Sequence, residues 1–466
     1  MSLAKIKGHP LKGAFIHFIQ EINGSTLFSY VEKVEAADPI RFYERGKEWY
    51  KGERFYFKDR DSEMTLAGLG SVHTIQHGPK KRFAGVESDW DALMKQASVH
   101  NPYDVYGTGP VAFGGFSFDP AQQEGEEWSR FAPSFFYVPE LMMTVYGGET
   151  YVTVNMLCDG AESGPLFDYL EKRKKWILAG NDLQFDKEAV LEKIHTGDTS
   201  VWKKSVQSAI QAIESDDELK KVVLARKVTA VFDQAIEPDR VLRRLGEGQP
   251  DSFIFSIEAM DSCFLGASPE RLVKKRNSTL LTTCLAGSIA RGKTEEEDQR
   301  LEMELLTDDK NRIEHDYVVQ MIRREMQSMC EEVMVPTEPI IMKVRDIQHL
   351  YTPVIGTADE HESILRFVER FHPTPALGGL PAQKALHVIR ELEPMDRGFY
   401  AAPIGWMDYR KNGEFAVAIR SGLLVKNEAF LYAGCGVVPN SNPETELEET
   451  NMKLRPMLRA IGGSDE

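Results

Sequence analysis

Strands in this chain come in runs, and their short connections constrain the fold more than any other feature. The run Lys221-Val-Val-Leu-Ala-Arg-Lys-Val-Thr-Ala-Val-Phe232 is apolar and rich in β-branched residues, and strand-like segments follow at residues 252–257, 263–267 and 280–285. More are expected near 340–344, 351–355, 399–406, 415–419 and 430–433. Parallel neighbours need a crossover of about a dozen residues or more, and many of these connections are shorter. The expectation is an α+β plan: large antiparallel sheets form the core and helices pack outside. Clean apolar–polar alternation occurs in few strands, so most sheet surface should be buried on both faces.

Helices punctuate these runs. Trp202, Val206, Ala209, Ile210 and Ile213 share one helical face. Residues 295–330 read as helical with a break at Thr307-Asp308-Asp309, and a last helix covers about 444–460. In the earlier part, 55–57, 135–138 and 151–154 read as strands, and 162–198 is charged and partly helical. The division expected is a variable N-terminal part, 1–199, lending strands to a common core, and a catalytic region, 200–466. The two are read as one intertwined structural domain. No repeat of solenoid period is present.

Charge narrows the function classes. Lys and Arg number 56 against 72 Asp and Glu, a net charge of −16 over 466 residues. Such a surface repels phosphate backbones and anionic lipid, which argues against nucleic-acid or membrane-surface binding. It also means that an anionic substrate needs local cations. The five cysteines, Cys158, Cys263, Cys284, Cys330 and Cys435, are scattered without a CxxC pair and read as reduced thiols. No apolar signal-type core occurs in residues 1–13, and no run is long enough to span a membrane, so a cytoplasmic protein is expected.

Several short motifs have simpler readings. Gly107-Thr-Gly-Pro-Val-Ala112 matches a dinucleotide-loop variant, but no apolar strand precedes it and Pro110 sits where a helix would open, so it reads as a turn. Lys80-Lys81-Arg82 reads as a solvated loop. Glu295-Glu-Glu-Asp298 complements a helix dipole. GxSxG, HExxH and EF-hand patterns are absent.

Four polar features in the second half carry chemical potential. Lys221 opens an apolar strand whose same face continues with Val223 and Ala225. An amine drawn into such a site can act as a base, although from spacing alone a lysine at a sheet edge reaching water is the simpler reading. Glu270, in the polar turn Ser268-Pro-Glu-Arg271, is either a buried acid or an ion-pair partner of Arg271 or Lys274. Glu314-His315 lies within a helix, and Glu446 and Glu449 lie at i, i+3 on the last helix with Lys453 one turn on. Carboxylates from two helices suit Mg²⁺, and the alternative is a surface Glu449–Lys453 pair. Gly-rich Ala433-Gly-Cys-Gly-Val-Val-Pro439 lets backbone N–H groups approach an anion.

Together these features resemble the chorismate-utilising enzymes, which include anthranilate, aminodeoxychorismate, salicylate and isochorismate synthases. The resembling blocks run from Lys203 to Ile461, somewhat over half the chain. They are Lys221-Val-Val-Leu-Ala-Arg226, Gly266-Ala-Ser-Pro-Glu-Arg-Leu272, Leu285-Ala-Gly-Ser288, Arg312-Ile-Glu-His-Asp-Tyr-Val-Val319, His372-Pro-Thr-Pro-Ala-Leu-Gly-Gly379, Arg397-Gly-Phe-Tyr-Ala-Ala-Pro-Ile-Gly405, Val417-Ala-Ile-Arg-Ser421 and the segment 433–453.

The resemblance implies specific roles. Family members that add ammonia have glutamine at the position of Lys221, and those that add water have lysine. Water is the poorer nucleophile and needs a base. Ala376 resembles the isochorismate synthases, where salicylate and anthranilate synthases tend to have threonine, and the long N-terminal part resembles the menaquinone-pathway type. The activity implied is Mg²⁺-dependent, reversible conversion of chorismate to isochorismate. A salicylate-forming lyase and a siderophore-pathway isochorismate synthase are the alternatives. In the implied mechanism Lys221 activates water for attack at C2, and Glu270 protonates the leaving C4 hydroxyl. Glu314 and Glu449 hold Mg²⁺, with Glu446 acting through water. Tyr400 and Arg420 bind the enolpyruvyl carboxylate, the Gly287-Ser288 and Gly434 backbones bind the ring carboxylate, and His349 lies beside the ring. Lys453, with Arg420 and the metal, supplies positive charge for the dianion. No glutaminase subunit is expected, and the chain is read as a monomer or weak homodimer.

Overall fold

The computed structural model describes residues 9–122, 125–180 and 187–463. The segment 1–8, part of the stretch read for a signal sequence, lies outside the described residues. Two sheets dominate. In the 13-stranded sheet the path runs through Leu191–His195, Lys221–Phe232, Glu428–Val437, Ser421–Val425, Ser262–Ser268, Phe253–Ala259, Arg54–Lys58, Met64–Leu69, Leu141–Tyr146, Glu149–Cys158, Thr26–Val34 and Ser98–His100. The short Gly379–Leu380 strand pairs with Lys221 and Val222 at the start of the Lys221–Phe232 strand. The 10-stranded sheet runs through Glu332–Met334, Ile347–Thr357, Thr279–Ala290, Arg271–Arg276, Gly413–Val417, Pro403–Asp408, Val111–Phe116, Ser134–Val138 and His73–His77, with Ile340–Lys343 beside Ile347–Thr357.

Among the described residues every ladder is antiparallel except Thr26–Val34 with Ser98–His100. This is the α+β arrangement the short connections demand. Both sheets interleave strands from before and after residue 200: Arg54–Lys58 pairs with Phe253–Ala259, and Val111–Phe116 with Pro403–Asp408.

The main core lies between the sheets and is strongly aromatic. Phe55 of one sheet stacks on Phe113 of the other with centroids 4.3 Å apart. A second core forms on the outer face of the large sheet, beneath the helices Lys12–Glu21, Leu166–Ala179, Pro238–Gly248 and Pro443–Ala460. With both faces covered, most strands lack alternation because nearly every side chain is buried.

Local expectations meet the structure closely, with informative departures. The helix Thr199–Ser215 buries Trp202, Val206, Ala209, Ile210 and Ile213. The long helical stretch breaks at Asp308, which caps the second segment by accepting from the Asn311 N–H. Expected strands at 399–406 and 415–419 are shifted, to Pro403–Asp408 and Gly413–Val417. The chain at 400–402 and 418–420 instead turns, with Ala401 and Arg420 at φ +61° and +53°. The Ser421–Val425 and Leu191–His195 strands were not anticipated, and residues 181–186 of the charged connection lie outside the described set. Residues 107–110 form a turn before Val111–Phe116. Lys80 and Lys81 are exposed, whereas Arg82 is half-buried and donates to the Ser117 carbonyl. All five cysteines are free.

Candidate active site

The start of the Lys221–Phe232 strand is held by an unusual substitute for a neighbouring strand. Val223 N–H donates to the Gly378 carbonyl at 3.0 Å, but among the described residues no strand pairs with that side again until Leu191–His195 meets Thr229–Phe232. The buried pair Glu393–Arg397 takes over: Ala225 N–H donates to Glu393 at 2.7 Å, and Arg397 donates to the Val223 carbonyl at 2.6 Å. Backbone groups that a ladder would satisfy are thus met by an ion pair. The strand is fixed with Lys221, Val223 and Ala225 on one face.

That face lines a recess of about 730 Å³. Twelve of the residues given roles from the sequence line it: Lys221, Glu270, Gly287, Ser288, Glu314, His349, Ala376, Tyr400, Arg420, Gly434, Glu449 and Lys453. Lys221 is only 8% exposed, and its Nζ donates to Glu314 Oε1 at 2.6 Å. It therefore does not reach water from a sheet edge. Gly436 makes this position possible. A Cβ there would lie 2.6 Å from Lys221 Cε and 3.2 Å from Nζ.

Glu270 is 5% exposed, and the basic groups nearest it in sequence are engaged elsewhere. Arg271 pairs with Glu414 and Asp61, and Lys274 with Glu63 and Glu414. Burial pushes the Glu270 carboxyl up to about 7, against the opposing pull of Arg420, Lys221 and Lys453. It is thus protonated in a good fraction of molecules near neutral pH.

A bulge shapes the opposite wall. Register between Thr279–Ala290 and Ile347–Thr357 shifts between Leu285 and Ser288, and Gly287 sits there at φ +78°. His315 clamps the bulge: Nδ1 is 3.0 Å from the Ala286 carbonyl and Nε2 is 2.8 Å from Thr352 Oγ1. Nδ1 must therefore carry the proton and Nε2 accept from the hydroxyl. His315 serves the wall, while its neighbour Glu314 faces the recess. His349 is buried, held near about 3 by desolvation and by Arg420 and Lys453, and its ring contacts the Gly287 backbone. It is neutral, and its Nε2 has no hydrogen-bond partner among the described residues.

Positive charge gathers at the far end. Lys453 Nζ donates to Glu449 and, at 3.0 Å, to the Gly434 carbonyl. The Glu449–Lys453 pair read as the surface alternative therefore exists, but it lies inside the recess. Burial lowers the Arg420 pKa and raises that of Tyr400 to about 12. Glu446, expected to act only through water, is buried on the last helix beside Cys435 and does not itself line the recess. Spacing of i, i+3 placed it beside Glu449, but the helix turns its carboxyl under the strand. Arg397 also lines the recess and was quoted in the sequence only within a motif.

The donor set suits a hard cation. Glu314 and Glu449 bring carboxylate oxygens from two helices to one recess, and Mg²⁺ needs only one or two protein carboxylates beside substrate and water. Each carboxylate is contacted here by a lysine amine. A different cluster, His9, Glu32 and Glu171, gathers three ligand-type groups elsewhere, but the buried Lys174 ammonium bridges its two carboxylates.

A recess with an acid, an amine, two metal-type carboxylates and a cationic end, set between two such sheets, has the make-up of an enzyme site. The chain belongs to the chorismate-binding enzymes: the family model "Chorismate binding enzyme" matches residues 14–462, and enzymes of this family are metal-dependent. Among curated relatives, the isochorismate synthase MenF of Bacillus subtilis is 42% identical over 460 residues, covering 96% of each chain. The salicylate-biosynthesis isochorismate synthase of Pseudomonas aeruginosa is 34% identical, covering 98% of this chain and 96% of that one. The solved structure of the menaquinone-specific isochorismate synthase MenF of Escherichia coli shares the fold with a TM-score of 0.78 at 22% identity, covering 97% and 98% of the two chains. Anthranilate synthase component I of Streptococcus pneumoniae shares it with a TM-score of 0.70 at 22% identity, over 85% and 92%.

Proposed function

We propose that this chain is an isochorismate synthase of the menaquinone-pathway type, which isomerises chorismate to isochorismate in the recess described above. The observation that carries the reading is a buried amine, Lys221, and a carboxyl raised to about 7, Glu270, on the walls of one recess. Lys221 takes a proton from water as its oxygen bonds to C2. Glu270 gives a proton to the C4 oxygen, which leaves as water while the double bonds shift between the two carbons. Water is gained and lost, so the step is isomeric, and reversal exchanges the two roles. An acid near 7 suits both directions, because it neither holds nor releases its proton too strongly.

Tyr400 and Arg420 hold the enolpyruvyl carboxylate. The ring carboxylate lies against the Gly287-Ser288 bulge and the Gly434 backbone. His349, neutral, presents its ring to the substrate without adding charge, and Ala376 leaves room beside it. Glu314 and Glu449 hold Mg²⁺, which when bound offsets the substrate's negative charge and draws electron density toward the ring carboxylate. Lys453 and Arg420 supply the remaining cations against a chain of net charge −16. The protein acts in the cytoplasm, as a monomer or weak homodimer without a glutaminase subunit. No described helix is long and apolar enough to cross a membrane.

Lys221→Gln tests the base assignment. The variant is expected to fold and to form no isochorismate from chorismate with Mg²⁺, as read by chromatography. Retained conversion refutes it. Salicylate and pyruvate as the main products of the unaltered chain would instead identify a lyase.

A further inference from the structure

A second cavity lies outside the recess. It measures about 790 Å³ and sits between the start of the helix Thr199–Ser215, the middle of the Lys221–Phe232 strand and the loop 392–395. Its walls are mainly apolar: Trp202, Leu224, Leu392, Pro394 and Met395. Trp202 is buried yet lines the cavity, and Leu392 and Met395 are partly buried beside it.

One wall carries a charge that the protein leaves uncompensated. Arg226 is 8% exposed, and among the described residues it enters no ion pair. Its contacts are neutral oxygens: Nε donates to Thr450 Oγ1 at 2.8 Å, Nη2 to Asn451 Oδ1, and Nη1 to the Thr196 carbonyl at 3.5 Å. A guanidinium carries five N–H groups, so these contacts leave two without a described partner. Other buried arginines in this chain face carboxylates: Arg54 meets Asp239 and Glu258, Arg271 meets Glu414, and Arg397 meets Glu393. The carboxylates that do line the cavity are already engaged. Asp198 caps the helix by accepting from the Ser200 N–H, and Glu393 is held by Arg397 and Ala225. Lys227, the other cation, pairs with Glu127.

A buried cation without a counter-charge is costly, and a fork-shaped one matches a carboxylate geometrically. We propose that this cavity is a binding site for a small planar aromatic monocarboxylate, its ring against Trp202 and its carboxylate on Arg226. The site is separate from the recess: Ala225 and Glu393 belong to the strand and ion pair that divide the two. The inference does not depend on the reaction proposed above.

The probe is 2-naphthoate, titrated calorimetrically into the full chain, with neutral 2-naphthamide as its uncharged counterpart. Saturable binding of 2-naphthoate is expected, about tenfold or more weaker for the amide and for Arg226→Gln. Ser205→Phe, which fills the cavity from the helix without touching the recess, is expected to abolish binding while isochorismate formation persists. Because Arg226→Gln also removes contacts to the last helix, Ser205→Phe keeps the test decisive if that variant folds poorly. No binding at millimolar 2-naphthoate, equal affinity for the amide, undiminished binding by Ser205→Phe, or binding strictly competitive with chorismate would each overturn the proposal.

Discussion

Gly436→Ala tests the geometry on which the reaction rests, because it moves the Lys221 amine without removing it. A Cβ at 436 would stand 2.6 Å from Lys221 Cε, where ordinary contact begins near 3.4 Å. The side chain must therefore retreat by about 0.8 Å, the difference between those distances. The clash falls on the free end of a flexible side chain, and the backbone at 436 is an ordinary strand, so the fold should absorb it. Alanine in a strand even recovers roughly 0.5–1 kcal/mol relative to glycine. Displacing a reacting group by about 1 Å costs on the order of a hundredfold in rate. The expected outcome is a kcat about a hundredfold lower with KM for chorismate changed little, since the carboxylate contacts stay in place. Chromatographic assay of isochorismate at saturating Mg²⁺ reads the rate, and urea unfolding reads the stability. A variant that is folded and turns over at the original rate would show that the placement of the Lys221 amine is immaterial, and the base assignment would fall with it.

The other predictions follow from the same walls. Glu270 works as the acid in its protonated form, so the rate of isochorismate formation should fall about tenfold per pH unit above about 7, read from a kcat/KM profile. Its folded value lies above the ordinary 4.5, so its stabilising contribution is complete below 4.5 and is lost as pH rises toward 7, a loss of about 3 kcal/mol. Glu270→Gln should abolish activity yet be more resistant to urea than the original chain at pH 8.5, with the gain absent at pH 4. Glu449→Gln should remove activity at ordinary Mg²⁺ and weaken Mg²⁺ binding measured directly by calorimetry; an unchanged affinity would exclude it as a ligand. Gly287→Ala forces a side chain into the left-handed region at φ +78° and against Asn311, with a Cβ contact of 3.2 Å. A destabilisation of about 1–2 kcal/mol and a raised KM for chorismate are expected, checked by thermal unfolding and steady-state kinetics.

The fold was legible where strands follow each other closely, as from Phe253 to Ala290, because chain length alone forbids parallel crossovers there. It was misread at 399–406 and 415–419. Apolar runs such as Phe399-Tyr-Ala-Ala look like strand, but Ala401 and Arg420 take positive φ that no local propensity announces. Both turns face the recess, and strain of this kind is held by surrounding packing: the Ala401 N–H donates to the Ala418 carbonyl at 2.9 Å, tying one turn to the other. A sequence pattern reports local preference, and at this site tertiary contacts override it.

The same division explains why Lys221 was ambiguous. Its spacing with Val223 and Ala225 fixed which face it takes, but not whether that face meets water or protein. Three remote features decide this: the Gly379–Leu380 strand covering its start, the ion pair Glu393–Arg397 extending that cover, and Glu314 arriving from another sheet's helix. None lies within 90 residues of Lys221. Glu446 makes the converse case. Its i, i+3 relation to Glu449 was read correctly as helical, yet an i, i+3 pair spans enough of the helix circumference for one carboxyl to reach the recess and the other to lie beneath Cys435. Periodicity assigns a face about 100° wide, and a ligand site is narrower than that. A metal assignment to Glu446 therefore requires Glu446→Gln to weaken Mg²⁺ binding as far as Glu449→Gln does. With Glu446 packed under the strand, the expected result is instead a loss of thermal stability with Mg²⁺ affinity largely kept.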